Sequence, residues 1–278
     1  RCADSLKEGN GLKLFDPADE LKDAANRGDM VAMLQHAMEK DDFRLLFQPI
    51  VSLRGDSDEH YEVLVRMLNP KGEEVSPSEF IAAANDEGLT GKIDRWVVLN
   101  SIKQLGEHRS KGHNTHLFIH LSSASLQDQT FLPWLSLALK AERLPADALV
   151  MQISEPDAIE YLKQAKALTQ GLAELHCKVS INQFGCAANP FNTLKHINAD
   201  FVRVDGSYTQ DLANPENLEA LKVLLTSLHA QAQITVVPCV ETATTMAALW
   251  QTGANYIQGY FLQAPSPVMD FEFSSGND

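Results

Sequence analysis

"LLFQPIVSLRGDSDEHYEVLVRML", residues 45–68, is the stretch on which the fold turns. Two runs rich in strand-forming residues, 45–53 and 61–68, are joined by the polar segment "RGDSDEH". A connection that short leaves no room for a crossover helix, so the two strands are expected to be antiparallel. Six further β-rich runs follow: "HLFIHLS", "LVMQIS", "KVSINQF", "FVRVD", "ITVVPCV" and "YIQGYF". Helical patterns separate most of them, at residues 78–85, 93–107, 132–141, 159–175, 217–231 and 243–251. Alternating strands and helices imply parallel pairing. The expected fold class is therefore α/β, a modified (β/α)8 TIM-like barrel with an antiparallel first strand. A doubly wound open sheet is the alternative.

Upstream of the strands, "DPADELKDAANRGDMVAMLQHAMEKDD" begins with Asp16-Pro17, a good helix start. Met30, Met33, Leu34, Ala37 and Met38 recur at helical spacing, and Gly28 is a candidate break between two helices. Residues 17–40 are read as a connector helix or pair. Residues 1–16, with "GLKLF" as a short strand, are too few for a domain. The absence of an initiating Met and of an apolar signal core suggests a cut from a longer chain.

The chain has 278 residues and a formal net charge of −14. That balance argues against a nucleic-acid polymer or an anionic membrane as partner, but not against a small anion held by a few arginines. Cys2, Cys177, Cys186 and Cys239 are widely spaced, which fits reduced thiols in the cytoplasm. No apolar run is long enough for a transmembrane helix, so direct membrane insertion is not expected.

In a barrel of this kind the site lies at the C-terminal ends of the strands. The polar residues there are Glu62, Arg66, His120, Ser122, Gln152, Glu155, Asn182, Gln183, Arg203, Asp205, Glu241 and Gln258. Polar groups facing a barrel interior must be hydrogen-bonded or serve a site, and here a ligand site is the favoured reading. Carboxylates are scarce where a magnesium ion would need them. His116 and His120 have the four-residue spacing of a helical zinc pair, but on a strand that span is about 13 Å, too far for one ion. No nucleophile elbow, Walker loop or dinucleotide fingerprint is present.

The order of these motifs resembles the EAL-domain family, which comprises cyclic di-GMP phosphodiesterases and inactive relatives on a modified (β/α)8 barrel. The resemblance runs through "LLFQPIVSL", "YEVLVR", "SPSEFIAAANDEGLTGKIDRWVV", "HLS", "QISE", "INQFG", "FVRVDGS", "VETATTMAALWQTGANYIQGYF" and "APSP". It implies residues 1–16 as the tail of a preceding GGDEF-like domain, 17–40 as the connector and 41–278 as a degenerate EAL barrel. Glu62 matches the signature glutamate. The family's asparagine, glutamate and paired-aspartate metal ligands correspond to His120, Gln152, Asn182 and Gln183, its lysine to Arg203, and its glutamate on the seventh strand to Pro238. Gln48, Arg66, Asp94, Glu155, Glu241 and Gln258 are retained.

Loss of those carboxylates removes the charge that holds divalent ions, and Arg203 stays protonated and cannot serve as a base. The resemblance thus implies no catalytic residue, no metal and no cofactor. It implies that cyclic di-GMP is bound by Gln48, Glu62, Leu64, Arg66, Asp94, Gln258, Gly259, Tyr260, Phe261 and Pro265. Arg66 is suited to phosphate unless it pairs with Glu62, Asp94 to a guanine donor edge, and Tyr260 or Phe261 to stacking unless Phe261 is core. Within the family, the pattern is similar to a type that carries degenerate GGDEF and EAL domains and binds the dinucleotide without hydrolysing it. That type implies a PilZ-domain protein as partner, a role in type IV pilus assembly and twitching motility, and a cytoplasmic place, with upstream domains directing it to a cell pole.

Overall fold

A computed structural model describes residues 17–273, with side chains from residue 28 onward. The segment 1–16, with its expected strand and domain tail, lies outside the described residues. The first element, α1 (Pro17–Lys40), is one continuous helix. Gly28 does not divide it: a single interior glycine costs only about 1 kcal/mol, less than the surrounding helical hydrogen bonds return. Leu34 and Ala37 are buried along the expected apolar face.

The chain forms two packed units. One comprises residues up to Phe43 together with Met67–Glu87. In it α1 packs on α2 (Pro77–Asp86), and Phe43 meets Phe80 edge-on at 6.2 Å. A short strand, β3 (Glu74–Val75), pairs antiparallel with Met67 and Leu68. Residues 67–87 thus pack in one unit with the N-terminal helix.

The second unit, Arg44–Arg66 with Gly88–Asp278, holds the barrel. Its strands are β1 (Phe43–Ser52), β2 (Glu59–Leu68), β4 (Thr115–His120), β5 (Leu149–Ser154), β6 (Lys178–Phe184), β7 (Phe201–Val204), β8 (Ile234–Val237) and β9 (Tyr256–Ile257). They are ordered β1-β9-β8-β7-β6-β5-β4-β2, and a β1–β2 pairing closes the ring. β1 runs antiparallel to β9, while β2 and β4 through β9 form parallel pairs. This is the TIM-like barrel with an inverted first strand, and closure excludes the open sheet.

The period-2 rule lays out the interior in layers. Ile50, Phe118, Val150, Phe201, Val236 and Tyr256 form a buried apolar cluster. Two residues along the same strands come Gln48, His120, Gln152, Arg203, Pro238 and Gln258. One pleat therefore separates the hydrophobic plug from a polar layer at the mouth.

Helices α3 (Thr90–Arg109), α5 (Phe131–Glu142), α9 (Pro215–His229) and α10 (Ala243–Trp250) lie where the pattern placed them. The expected helix at 159–175 is instead two, α6 (Glu155–Glu160) and α7 (Leu162–Glu174), because Tyr161 leaves helical geometry (φ −113°, ψ 44°). Ser154 caps α6 by accepting from the Asp157 amide, and Pro156 follows in the first turn, so this helix starts directly at the strand end. Two one-turn helices, α4 (Ser123–Gln127) and α8 (Pro190–Leu194), complete the strand-to-helix loops. Among the described residues no helix is long and apolar enough to cross a membrane.

Beyond β8 and β9 the chain stays tightly paired. The Val240 amide donates to Gln258 O at 2.9 Å, and the Phe261 amide donates to Val240 O at 3.0 Å. This brings the Val240 backbone so close to Gly259 that a Cβ there would lie 2.1–2.5 Å from it. Backbone cannot yield as a side-chain tip can. Gly259→Ala is therefore expected to destabilise the barrel by about 3 kcal/mol, measured as a lower urea midpoint with an unchanged slope.

Candidate functional site

Glu62 sits at the centre of the polar layer, and its carboxylate is fully engaged by the protein. Gln152 Nε2 donates to Oε1 at 3.1 Å, and Gln258 Nε2 donates to Oε2 at 2.8 Å. Arg203 Nη1 lies 3.0 Å from Oε2. Burial opposes ionisation of Glu62, but the Arg203 charge and the amide donors outweigh it and hold the carboxyl below the ordinary glutamate range. Gln258 Nε2 also donates to Gln48 Oε1 at 3.1 Å, and Gln48 Nε2 donates to Gln263 O at 3.2 Å. Strands β1, β2, β5, β7 and β9 thus meet in one network. Sequence reasoning took Arg203 only as a base that could not work. Its role as counter-ion was missed, although a buried glutamate among amides signals that some cation must be near.

Asn182 and Gln183 are separated by a distortion of their strand. The β6–β7 register shifts between Ile181 and Phe184, and Gln183 has φ 53°, a bulge that re-aims the chain end. Asn182 Nδ2 lies 3.3 Å from His120 Nδ1, whereas Gln183 is exposed. Pro238 is buried and offers the mouth no acid. Gln152 Oε1, Asn182 Oδ1 and Gln258 Oε1 are buried without a hydrogen-bond partner among the described residues. With each amide nitrogen turned toward Glu62 or His120, three carbonyl oxygens are left without a partner among the described residues.

Two retained carboxylates hold loops. Asp94 Oδ2 accepts from the Ser122 amide (2.8 Å), Ser122 Oγ (2.6 Å) and Ser125 Oγ (2.6 Å), fixing the start of α4. Burial still pushes its pKa up. Glu155 Oε2 accepts from the Gly185 and Ala187 amides at 3.1 and 3.3 Å, pinning the turn after β6. Burial likewise raises the Glu155 pKa. Asp205 caps its own turn by accepting from the Ser207 amide at 2.9 Å. Glu241 is exposed.

The remaining sequence candidates lie on the rim. Arg66 Nη1 donates to Val65 O at 3.0 Å, and Leu64 and Pro265 are half-buried. Tyr260 and Phe261, 64% and 45% exposed, follow β9, so Phe261 is not core. The antiparallel bridge Phe47–Ser266 holds the Pro265 segment beside β1.

A divalent ion does not fit this donor set. The guanidinium of Arg203 already stands against the one central carboxylate, and the facing groups are amides, an imidazole and a proline. Among the described residues, the groups of three side chains able to hold a metal are Asp58–His60–His116 and Glu59–His108–His113, around the N-terminal ends of β2 and β4.

Removing Arg203 strands a buried carboxylate. Arg203→Met is expected to cost about 3 kcal/mol at neutral pH, and adding Glu62→Gln should recover much of it. Because the folded pKa of Glu62 is lowered, its stabilisation is complete above the ordinary glutamate range and is lost as pH falls through the folded value. Urea unfolding of both proteins at neutral pH and near pH 4 should show the gap narrowing in acid.

The EAL domain family model matches residues 31–265. The crystal structure of the FimX EAL domain from Pseudomonas aeruginosa bound to c-di-GMP is 61% identical, with a TM-score of 0.85, covering 88% of this chain and all of that one. The Xanthomonas citri FimX EAL domain in complex with c-diGMP is 29% identical, with a TM-score of 0.84 over 93% of this chain and all of that one. The cyclic di-GMP phosphodiesterase PdeF of Escherichia coli is 31% identical over 252 residues, 90% of this chain and 33% of its own length. The chain thus spans about a third of the length of the curated relatives it matches. It belongs to the EAL-domain family, and the FimX EAL domains show it to be of the FimX type.

Proposed function

We propose that this chain is a cyclic di-GMP receptor that binds the dinucleotide without a divalent metal, does not hydrolyse it, and passes the bound state to a protein partner. The observation that carries this reading is the Glu62–Arg203 pair at 3.0 Å, with two amide donors completing the carboxylate's shell. A guanidinium set against the central carboxylate disfavours a divalent ion there, and with it the activated water that hydrolysis would need. The similarity to FimX EAL domains solved with c-di-GMP supports the ligand.

Binding then falls to residues that Glu62 does not engage, together with the free faces of those it does. Arg66 supplies a charge-assisted contact to phosphate, Asp94 Oδ1 accepts from a guanine edge, and exposed Tyr260 and Phe261 offer stacking faces. Leu64 and Pro265 are proposed as apolar contacts, and Gln48, Gln258 and Gly259 as the floor beneath them. Neutral Asn182 and Gln183 repel phosphate less than carboxylates would. A PilZ-domain protein is the proposed partner, with type IV pilus assembly and twitching motility as the output, at a cell pole in the cytoplasm.

Isothermal titration of cyclic di-GMP in excess EDTA should show saturable binding; no heat would leave only a nucleotide-free scaffold. The 31% identity to a named phosphodiesterase favours residual hydrolysis as the second reading. It requires linear pGpG to appear with Mg²⁺ or Mn²⁺, and none is expected. Arg66→Ala should weaken binding by about 1.5–3 kcal/mol; unchanged affinity would assign Arg66 to the scaffold. The double variant Asn182→Asp, Gln183→Asp should remain inactive, because Gln152, His120, Pro238 and Arg203 are untouched.

A further inference from the structure

Beneath the polar layer the barrel carries a second set of converging groups. In the parallel β2–β4 pair, His60 stands opposite His116, one pleat below Glu62 and Phe118. The two imidazoles stack with centroids 5.1 Å apart at 26°. His60 is 4% exposed and is met edge-on by Phe118, Phe201 and Tyr256. Nδ1 of His60 and Nδ1 of His116 are both buried without a hydrogen-bond partner among the described residues.

A carboxylate completes the set. One ligand atom each from Asp58, His60 and His116 lies within 4.8 Å of the other two. Asn114 Nδ2 donates to Asp58 Oδ1 at 2.6 Å, orienting the carboxylate. An orphan nitrogen in an apolar setting is costly, and two side by side are hard to explain by packing alone.

We propose that Asp58, His60 and His116 form a site for a divalent transition-metal ion of the Zn²⁺ class, beneath the polar layer of the mouth, toward the N-terminal ends of β2 and β4. Two nitrogens and one oxygen, with water as fourth ligand, make a tetrahedral set that Zn²⁺ accepts and that Mg²⁺ or Ca²⁺, which prefer all-oxygen shells, do not. Closing on the ion brings the ligand atoms to about 3.4 Å, the spacing set by bonds near 2.1 Å. The stacked rings turn about their Cβ–Cγ bonds to do this, and half-buried Asp58, on the β1–β2 connection, moves in to meet them. The ion then ties that connection to the start of β4.

The adjacent Glu59–His108–His113 group is a natural control. Its histidine nitrogens already face the Glu59 carboxylate at 3.4 and 2.8 Å, so no group there lacks a partner.

The test is calorimetric titration of Zn²⁺ into the chelator-stripped chain, paired with the visible spectrum of the Co²⁺ form. One Zn²⁺ per chain and the strong d–d absorption of tetrahedral Co²⁺ are expected. Both should weaken at least about tenfold in His116→Gln and Asp58→Asn and persist in His113→Gln. Absence of stoichiometric binding overturns the proposal, as does binding abolished by His113→Gln or indifferent to His116→Gln. Should His116→Gln fail to fold by circular dichroism, Asp58→Asn, at a half-buried position in the connection, carries the same decision.

Discussion

The constraint on which the mouth of this barrel depends is the need to neutralise one buried carboxylate. Only 13% of the Glu62 side chain is exposed, and an unpaired charge so largely buried would draw heavily on the domain's small margin of stability. The structure answers with Arg203 from the opposite side of the ring and with two glutamine amides. That arrangement fixes rotamers on five strands, orients Gln48 and Gln258, and leaves a set of carbonyl oxygens without partners. Geometry at the mouth follows from electrostatics at its centre.

Much of the fold was legible because its signals are local. The short polar link between residues 53 and 61 forces antiparallel strands, and the alternation along "HLFIHLS" and "FVRVD" shows one buried and one polar position per pleat. The layer of Gln48, His120, Gln152, Arg203 and Gln258 follows from counting in twos. The rest depended on partners distant in sequence. Arg203 is 141 positions from Glu62, and no spacing rule joins β2 to β7. The early start of α6 at Glu155 comes from the cap at Ser154 and the proline after it, and the departure from helical geometry at Tyr161 leaves no mark in a helical pattern over 159–175. The assignment of residues 67–87 to the N-terminal unit comes from packing on α1, and strand periodicity carries no trace of it.

The retained acids show why motif identity alone misleads about role. Asp94 and Glu155 survive in the pattern, yet each spends one oxygen holding backbone amides at the start of α4 or the turn after β6. Such residues persist whether or not a reaction takes place, because removing either leaves unpaired amides in a poorly solvated loop. The residues that report on chemistry are those at the centre, where a metal-binding mouth and a neutral one demand opposite side chains.

The neutral layer also behaves as a ratchet. Its charges sum to zero through one pair, so adding a single acid at Gln152 or Asn182 places an uncompensated charge in a buried ring, and replacing Arg203 first strands Glu62. Each one-step path toward an acidic, metal-holding mouth therefore begins downhill in stability, and its benefit arrives only when several changes coincide. A mouth balanced in this way is separated from an acidic one by a barrier in sequence space.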